Sequence, residues 1–366
     1  MIIEALSKTF EKLEDPRSSR NQRHPFLSLM SIGLLATIAG QVSFSGMSEF
    51  AECHEEELSK FIPMPYGPPS HDTLQRLFDG INPEVFIECF MIFTDHLTDS
   101  LVGLTALDGK TIRNSGREHP LHIVSAWCEE NKLVLGHVKA RMGGGEIEAL
   151  EELLRLLDLK NRIITLDAIG CNRAIKEQIV EGGGDYVIAL KRNQGNLHED
   201  VQLYFDDLNK FEGTTWQEWD KGHGRIEHRE SWAIQADTWL TSHHAWKSIQ
   251  SLAMVISTRI IGEKESHDTR FYISSLPADA ESICKIARRH WALENKLHWV
   301  LDVSFNEDKS CIRNDNAAEN IDIMKKWALN SINSQRKKDV SIKSIQRRSS
   351  MSIKYLTQLL LAAFHV

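Results

Sequence analysis

The sequence has little cysteine and none of it in pairs. Six cysteines in 366 residues (Cys53, Cys89, Cys128, Cys171, Cys284, Cys311) stand far apart, with no Cys-x-x-Cys. That spacing argues against a zinc cluster or a disulfide framework and suits a reducing cytoplasm. An excess of positive charge is also missing: 43 Lys+Arg face 51 Asp+Glu, a net charge of −8. A globally basic nucleic-acid binder is thereby excluded, but local basic patches are not, because attraction depends on where charges sit. Long apolar runs are scarce too. The charge-free run from Pro25 to Ser48 is interrupted by Ser28, Ser31, Thr37, Gln41, Ser43 and Ser45. Its best stretch, Leu27 to Ala39, falls short of the roughly 20 residues that span a bilayer. A secretory signal would begin at the N-terminus, not behind an amphipathic segment. The run reads as a buried helix of a soluble domain.

What is present is an ordinary globular composition, 42% hydrophobic and 26% charged, in a chain long enough for two or three structural units. Residues 1–98 read as helical. Ile2, Leu6, Phe10 and Leu13 recur at helical spacing before Asp15-Pro16, and 27–39 and 46–62 fit two more helices. Four of the nine prolines fall in the loop 63–69, and Asn82-Pro83 opens a helix to about 98. From about 102 the texture turns to strands. Leu104 to Leu107 ends at Asp108-Gly109, His122 to Trp127 and Leu133 to Ala140 flank a polar turn, and Arg162 to Leu166 ends on Asp167. Gly143-Gly144-Gly145 leads to a helix before that last strand; a helix over 172–181 and the strand Tyr186 to Leu190 come after it. Strands and helices in this order predict an α/β fold, a mixed sheet with flanking helices, over 99–205. Residues 206–280 hold five of the nine tryptophans and β-like segments at 226–234, 252–260 and 270–275, which predicts a β-rich insertion. A long helix over about 280–300 and another over 317–333 fall in 281–335, and 336–366 reads as a basic tail.

Two strands therefore each end on an aspartate. If the strands are adjacent and parallel, Asp108 and Asp167 meet at one sheet edge, a like-charged pair tolerable mainly around a cation. Oxygen ligands without His or Cys point to Mg²⁺ or Mn²⁺ rather than zinc. Glu294 falls in the stripe Ile283, Ala287, His290, Leu297, Leu301, where a carboxylate is costly unless it is paired or binds a metal. Plainer roles exist: Asp-Gly turns are common, Asp167 can cap the next helix, and Arg288, Arg289 or Lys296 can pair Glu294.

These residues carry a resemblance. Ala106-Leu107-Asp108-Gly109-Lys110-Thr111-Ile112-Arg113 resembles the first-aspartate motif of the H-repeat-associated insertion-sequence transposases, a bacterial DDE family. Asp167-Ala168-Ile169-Gly170-Cys171 resembles its second-aspartate motif, and Gly183 to Gln194 the strand and turn beyond it. His290-Trp291-Ala292-Leu293-Glu294-Asn295-Lys296-Leu297-His298-Trp299 and onward to Val303 resembles its glutamate helix. The likeness extends through Asn306-Glu307-Asp308 and Ile312-Arg313 and covers nearly the whole chain, including the His223-Gly224-Arg225-Ile226-Glu227 turn.

The resemblance implies an RNase H-like α/β fold, with 99–205 and 281–335 as the two parts of a catalytic core and 1–98 as a helical DNA-binding or assembly domain. It implies that Asp108, Asp167 and Glu294 are catalytic and hold two Mg²⁺ (or Mn²⁺) ions, for cutting DNA at the element's ends and joining it to a target. The family's tyrosine, arginine and lysine around the glutamate are replaced here by Ala287, His290 and Leu301, which leaves Arg288, Arg289, Lys296 or His298 for phosphate contact. Lys110, Arg113, Lys191 and Arg192 come just after the catalytic strands, and His223 and Arg225 sit in the Gly-flanked turn; all are candidates to touch DNA. Smaller basic clusters lie at Arg17–Arg23 and 333–354. The implied partners are double-stranded transposon-end and target DNA and a second copy of the chain, in the cytoplasm, with no membrane. Competing readings are a DDE-type nuclease that cuts without joining, and a catalytically inactive remnant that only binds DNA.

Overall fold

In the computed structural model, the described residues are 2–20, 22–98, 103–115, 120–141, 145–222, 224–244, 246 and 248–364. His223 and the Gly143-Gly144 lead-in lie outside them. The helical N-terminal stretch is α1 (Ile2–Thr9), α2 (Phe26–Ile38), α3 (Phe44–Cys53), α4 (Glu55–Leu58), α5 (His71–Gly80) and α6 (Pro83–Asp95). Then come β1 (Gly103–Ile112), β2 (Leu121–Cys128), β3 (Leu133–Lys139), α7 (Glu146–Leu156), β4 (Arg162–Leu166), α8 (Arg173–Glu181), β5 (Asp185–Leu190) and α9 (Asn196–Leu203). The tryptophan-rich stretch is β6 (Thr214–Gly222), β7 (Arg225–Gln235), α10 (Thr238–His243), β8 (Ser251–Ile261) and β9 (Lys264–Ser274). The chain closes with α11 (Ala280–His290), a π-helical turn over Glu294–His298, α12 (Trp299–Ser304), α13 (Asp315–Gln335), α14 (Ile342–Met351) and α15 (Ile353–Ala363). Strand order is β3-β2-β1-β4-β5-β9-β8-β7-β6 in one mixed sheet. The fold class is the expected α/β one, a mixed sheet with flanking helices.

The chain divides into two compact units, and β1 begins in one and ends in the other. The first comprises Met1–Leu101, Gly109–Gly143 and Glu294–Val366. Its core is helical, and α2 is its centre: every residue from Ser28 to Ile38 is buried. Ser31 and Thr37 donate within the helix to the carbonyls of Leu27 and Gly33 at 2.6 and 2.7 Å, and Ser28 donates to the Pro63 carbonyl at 2.8 Å. Around Trp327 of α13 gather Phe10, Phe86, Phe90 and Phe93, with ring centroids 5.0–5.9 Å away. Burying each such ring is worth about 2–3 kcal/mol. Asn330 on α13 satisfies both backbone groups of Val134 on β3, at 2.9 and 2.8 Å. The residues read as a basic tail contain α14 and α15, whose faces bury Ile342, Ile345, Ile353, Leu356 and Leu360 and leave Lys343, Arg347, Arg348 and Lys354 exposed.

The second unit comprises Val102–Asp108 and Gly144–Leu293. The start of β1 pairs in parallel with β4, and β4 with β5; β9, β8, β7 and β6 then continue as antiparallel neighbours. The tryptophan-rich strands thus extend the sheet of the core. Helix α11 packs on this sheet through Ile283, Cys284, Ile286 and Ala287, against Val187, Ala233, Ala253, Val255 and Tyr272. Asp279 starts α11 by accepting from the backbone N–H of Glu281 and Ser282. Gly183, at φ +79, makes the left-handed turn between α8 and β5 that a side chain would strain.

Candidate active site

The register of β1 and β4 settles where two of the acids stand. Leu107 pairs with Leu166, so Asp108 and Asp167 each come one residue later, on neighbouring parallel strands. Adjacent strands lie roughly 4.8 Å apart, so the two acids branch from neighbouring strands next to a paired position. Both residues are half-buried. Asp167 also closes a short turn, accepting from the backbone N–H of Ile169 at 2.9 Å, as the capping reading anticipates. Asp108 does not end its strand: β1 runs on to Ile112, so this acid projects from mid-strand. The turn after β5 is latched beneath the β4 end, Asn193 Nδ2 donating to the Ala168 carbonyl at 2.8 Å and Gln194 Nε2 to that of Cys171 at 2.5 Å. Lys191 and Arg192 ride on this turn, exposed.

Helix α11 is tied to the same strand. His290 Nδ1 lies 3.0 Å from Thr165 Oγ1, two residues before Asp167. Burial drives the His290 pKa down to about 4; Asp167 pulls it up and Arg270 adds to the depression. The imidazole is therefore neutral at pH 7. The Arg270 guanidinium sits 4.6 Å over the Trp291 ring, a cation–π contact holding the end of this segment.

Glu294 departs from the sequence expectation. Its side chain is 58% exposed, not buried in the α11 stripe. The reason is the π-helical turn over Glu294–His298, which widens the helix by one residue and rotates the residues beyond it. Leu297 and Leu301 of the expected stripe are buried, and Leu293 takes the buried position beside Glu294. His298 Nδ1 stands 2.9 Å from Glu294 Oε2 and orients it; the other ring nitrogen, Nε2, is buried with no hydrogen-bond partner. Burial holds the His298 pKa below the usual histidine value against the pull of Glu294.

The structure redirects several residues read as DNA contacts. Lys110 is an internal cation, 15% exposed, bonded to Asp302 at 2.5 Å and Glu307 at 2.6 Å. Burial opposes its charge, yet Glu307 and Asp302 carry its pKa above the usual lysine value. Lys296 pairs with Glu129, Arg225 with Glu227 at 2.7 Å, and His298 is buried against Glu294. Arg113 is 80% exposed, with Asp308 at 3.6 Å, and Arg289 is half-buried. The sequence reading missed Asp302 and Glu307 as the partners of Lys110. It also missed the coupling of Glu294 to His298, whose spacing of four residues on a helix was the available signal.

Comparison with known families decides what this arrangement belongs to. The family described as "Transposase DDE domain" matches residues 102–331, and "DDE_Tnp_1-associated" matches 7–94. The chain belongs to the DDE transposases. Within them it is similar to "H repeat-associated putative transposase YhhI" of Escherichia coli K12, 33% identical over 98% of this chain and 98% of that one. "Putative protein YbfL" of the same organism matches at the same identity and coverage. Among solved structures, a piggyBac transposase synaptic complex with hairpin DNA aligns to all of this transposase-family chain and 78% of its own, with TM-score 0.47 and 14% identity. DDE-family membership implies divalent-metal use, and the donor chemistry fits: Asp108 and Asp167 offer hard carboxylate oxygens from neighbouring parallel strands. No described helix is long and apolar enough to cross a membrane.

Proposed function

We propose that this DDE-family protein cuts DNA at the ends of its own insertion sequence and joins the released 3′ end to target DNA. The observation that carries the reading is the in-register placement of Asp108 and Asp167 at neighbouring parallel strands. The path of the chain supports Glu294 as the third acid, because α11 is bonded to β4 through His290 and Glu294 comes one helical turn later. Asp108, Asp167 and Glu294 then hold two Mg²⁺ or Mn²⁺ ions. When bound, such ions stabilise negative charge on the attacking and leaving oxygens of a phosphodiester.

The chain's own residues supply the rest. His298 fixes the rotamer of Glu294 through its Nδ1 contact. His290, neutral at working pH, adds no positive charge beside Asp167. Arg113, Lys191 and Arg192 present exposed cations on the segments just after β1 and β5 and contact phosphates. The N-terminal helical region recognises the ends or mediates assembly of a dimer on DNA, and the work takes place in the cytoplasm.

The test supplies end-sequence DNA and Mg²⁺ to the purified protein. Nicked ends and strand-transfer products are expected, and none from Asp108→Asn, Asp167→Asn or Glu294→Gln, while each variant still binds DNA. Cutting by all three variants overturns the triad. Cutting without joining identifies a nuclease; binding without cutting by the unaltered chain identifies an inactive remnant. Affinity should fall steeply as salt rises.

A further inference from the structure

We propose that Asp200, His243 and His244 form a second metal site, selective for Zn²⁺ or a similar borderline divalent ion. One ligand atom from each of the three lies within 4.8 Å of the others. Asp200 belongs to α9, whereas His243 ends α10 and His244 is the next residue, 44 residues after Asp200.

The pair Asp200–His244 alone would be an ion pair, with Oδ2 and Nε2 2.7 Å apart. The third donor makes it more than that. Among the described residues neither ring nitrogen of His243 has a hydrogen-bond partner, yet its ring is held in place. Trp239 stacks on it at 5.0 Å and 7°, and the His244 ring meets it edge-on at 4.9 Å. Backbone contacts fix the rest. Asp237 caps α10 through the Leu240 N–H and accepts the Tyr204 hydroxyl of the α9 segment at 2.8 Å each; Arg173 donates to the His244 carbonyl at 2.5 Å. The donors are thus presented on backbone anchored from both sides, as ligands need to be.

Two imidazoles and one carboxylate are a zinc-type set, with water completing a tetrahedron; Mg²⁺ favours oxygen ligands alone. Zinc–ligand bonds of about 2.0–2.2 Å put ligand atoms roughly 3.4 Å from each other, so binding opens the Asp200–His244 contact by well under 1 Å. The ion would clip α9 to α10, closing a long loop at the base of the β6–β9 extension. This site is independent of the DNA chemistry proposed above.

The experiment uses the full chain carrying Asp108→Asn, Asp167→Asn and Glu294→Gln, so that the proposed catalytic acids cannot bind the probe. The chain is stripped with chelator and titrated with Co²⁺, then Zn²⁺. One equivalent of Co²⁺ should give the visible absorption of a low-coordinate nitrogen-and-oxygen site, which Zn²⁺ displaces. Zn²⁺ should also raise the thermal unfolding midpoint. Adding Asp200→Ala or His243→Ala should weaken binding at least about a hundredfold and abolish the zinc-dependent rise. His243→Gln, which keeps the bulk under Trp239, should do the same with an unchanged metal-free midpoint. Stoichiometric binding that survives these substitutions, or no binding by the parent chain at micromolar Zn²⁺, overturns the proposal.

Discussion

Two groups of acids in this protein meet opposite fates. Asp302, Glu307 and Asp322 are matched with cations: Lys110 bonds the first two, and Lys326 bonds Asp322 at 2.7 Å and His137 at 2.8 Å. Glu307, Asp322 and Lys326 are at most 2% exposed. Asp108 and Asp167 stand half-exposed on neighbouring parallel strands. Glu307 and Asp322 are buried beside cations, whereas the two aspartates keep contact with solvent. Burial, more than residue type, separates the two groups.

Removing one partner from the buried group should have the largest effect. Lys326→Met takes the bonded cation from the buried Asp322 and leaves the neutral His137, at 3.3 Å, beside it; a stability loss of about 3–5 kcal/mol by urea unfolding is expected. A loss below about 1 kcal/mol would erase the distinction between the two groups. At the half-exposed acids the pattern should invert. Asp108→Asn and Asp167→Asn alter half-exposed side chains, so stability should move by less than about 1 kcal/mol while nicked and joined products disappear.

Acid titration gives a finer probe of the same contrast. Burial first, and Lys326 second, hold His137 neutral, its pKa well below the usual histidine value. The unfolded chain protonates this residue below about pH 6.5 while the native one does not. Stability should therefore fall as pH drops through 6.5, by up to about 1.4 kcal/mol per unit from this group, and His137→Leu should flatten that slope. A smaller effect is expected at the α11 cap. Asp279→Ala removes the acceptor for two backbone N–H groups and should cost about 1 kcal/mol, measurable by thermal unfolding.

The legible parts of the molecule are those set by local pattern. The buried α2, the paired strands β2 and β3, and the end of β4 just before Asp167 derive from apolar runs punctuated by turns and acids, whereas the Asp108-Gly109 pair did not end β1. β6 was not legible, because an edge strand reading Thr-Thr-Trp-Gln-Glu-Trp-Asp-Lys-Gly has no buried face to impose alternation. In α14 and α15 an apolar periodicity was present, at Ile342, Ile345, Ile353 and Leu356, but the surrounding cations overshadowed it. The fate of Lys110 could not be read at all, since its partner Asp302 lies 192 residues away. His243 and His244 gave no signal either without Asp200, which only the fold brings near.

The wide turn over Glu294–His298 makes the direction of the glutamate a matter of counting. Each residue advances an α-helix by about 100°, so deleting a single amino acid between Trp291 and His298 would re-phase the segment and swing the carboxylate round to another side. Length in this stretch is thus under a stricter constraint than chemistry: conservative exchanges leave the aim unchanged, whereas a one-codon deletion would misdirect it.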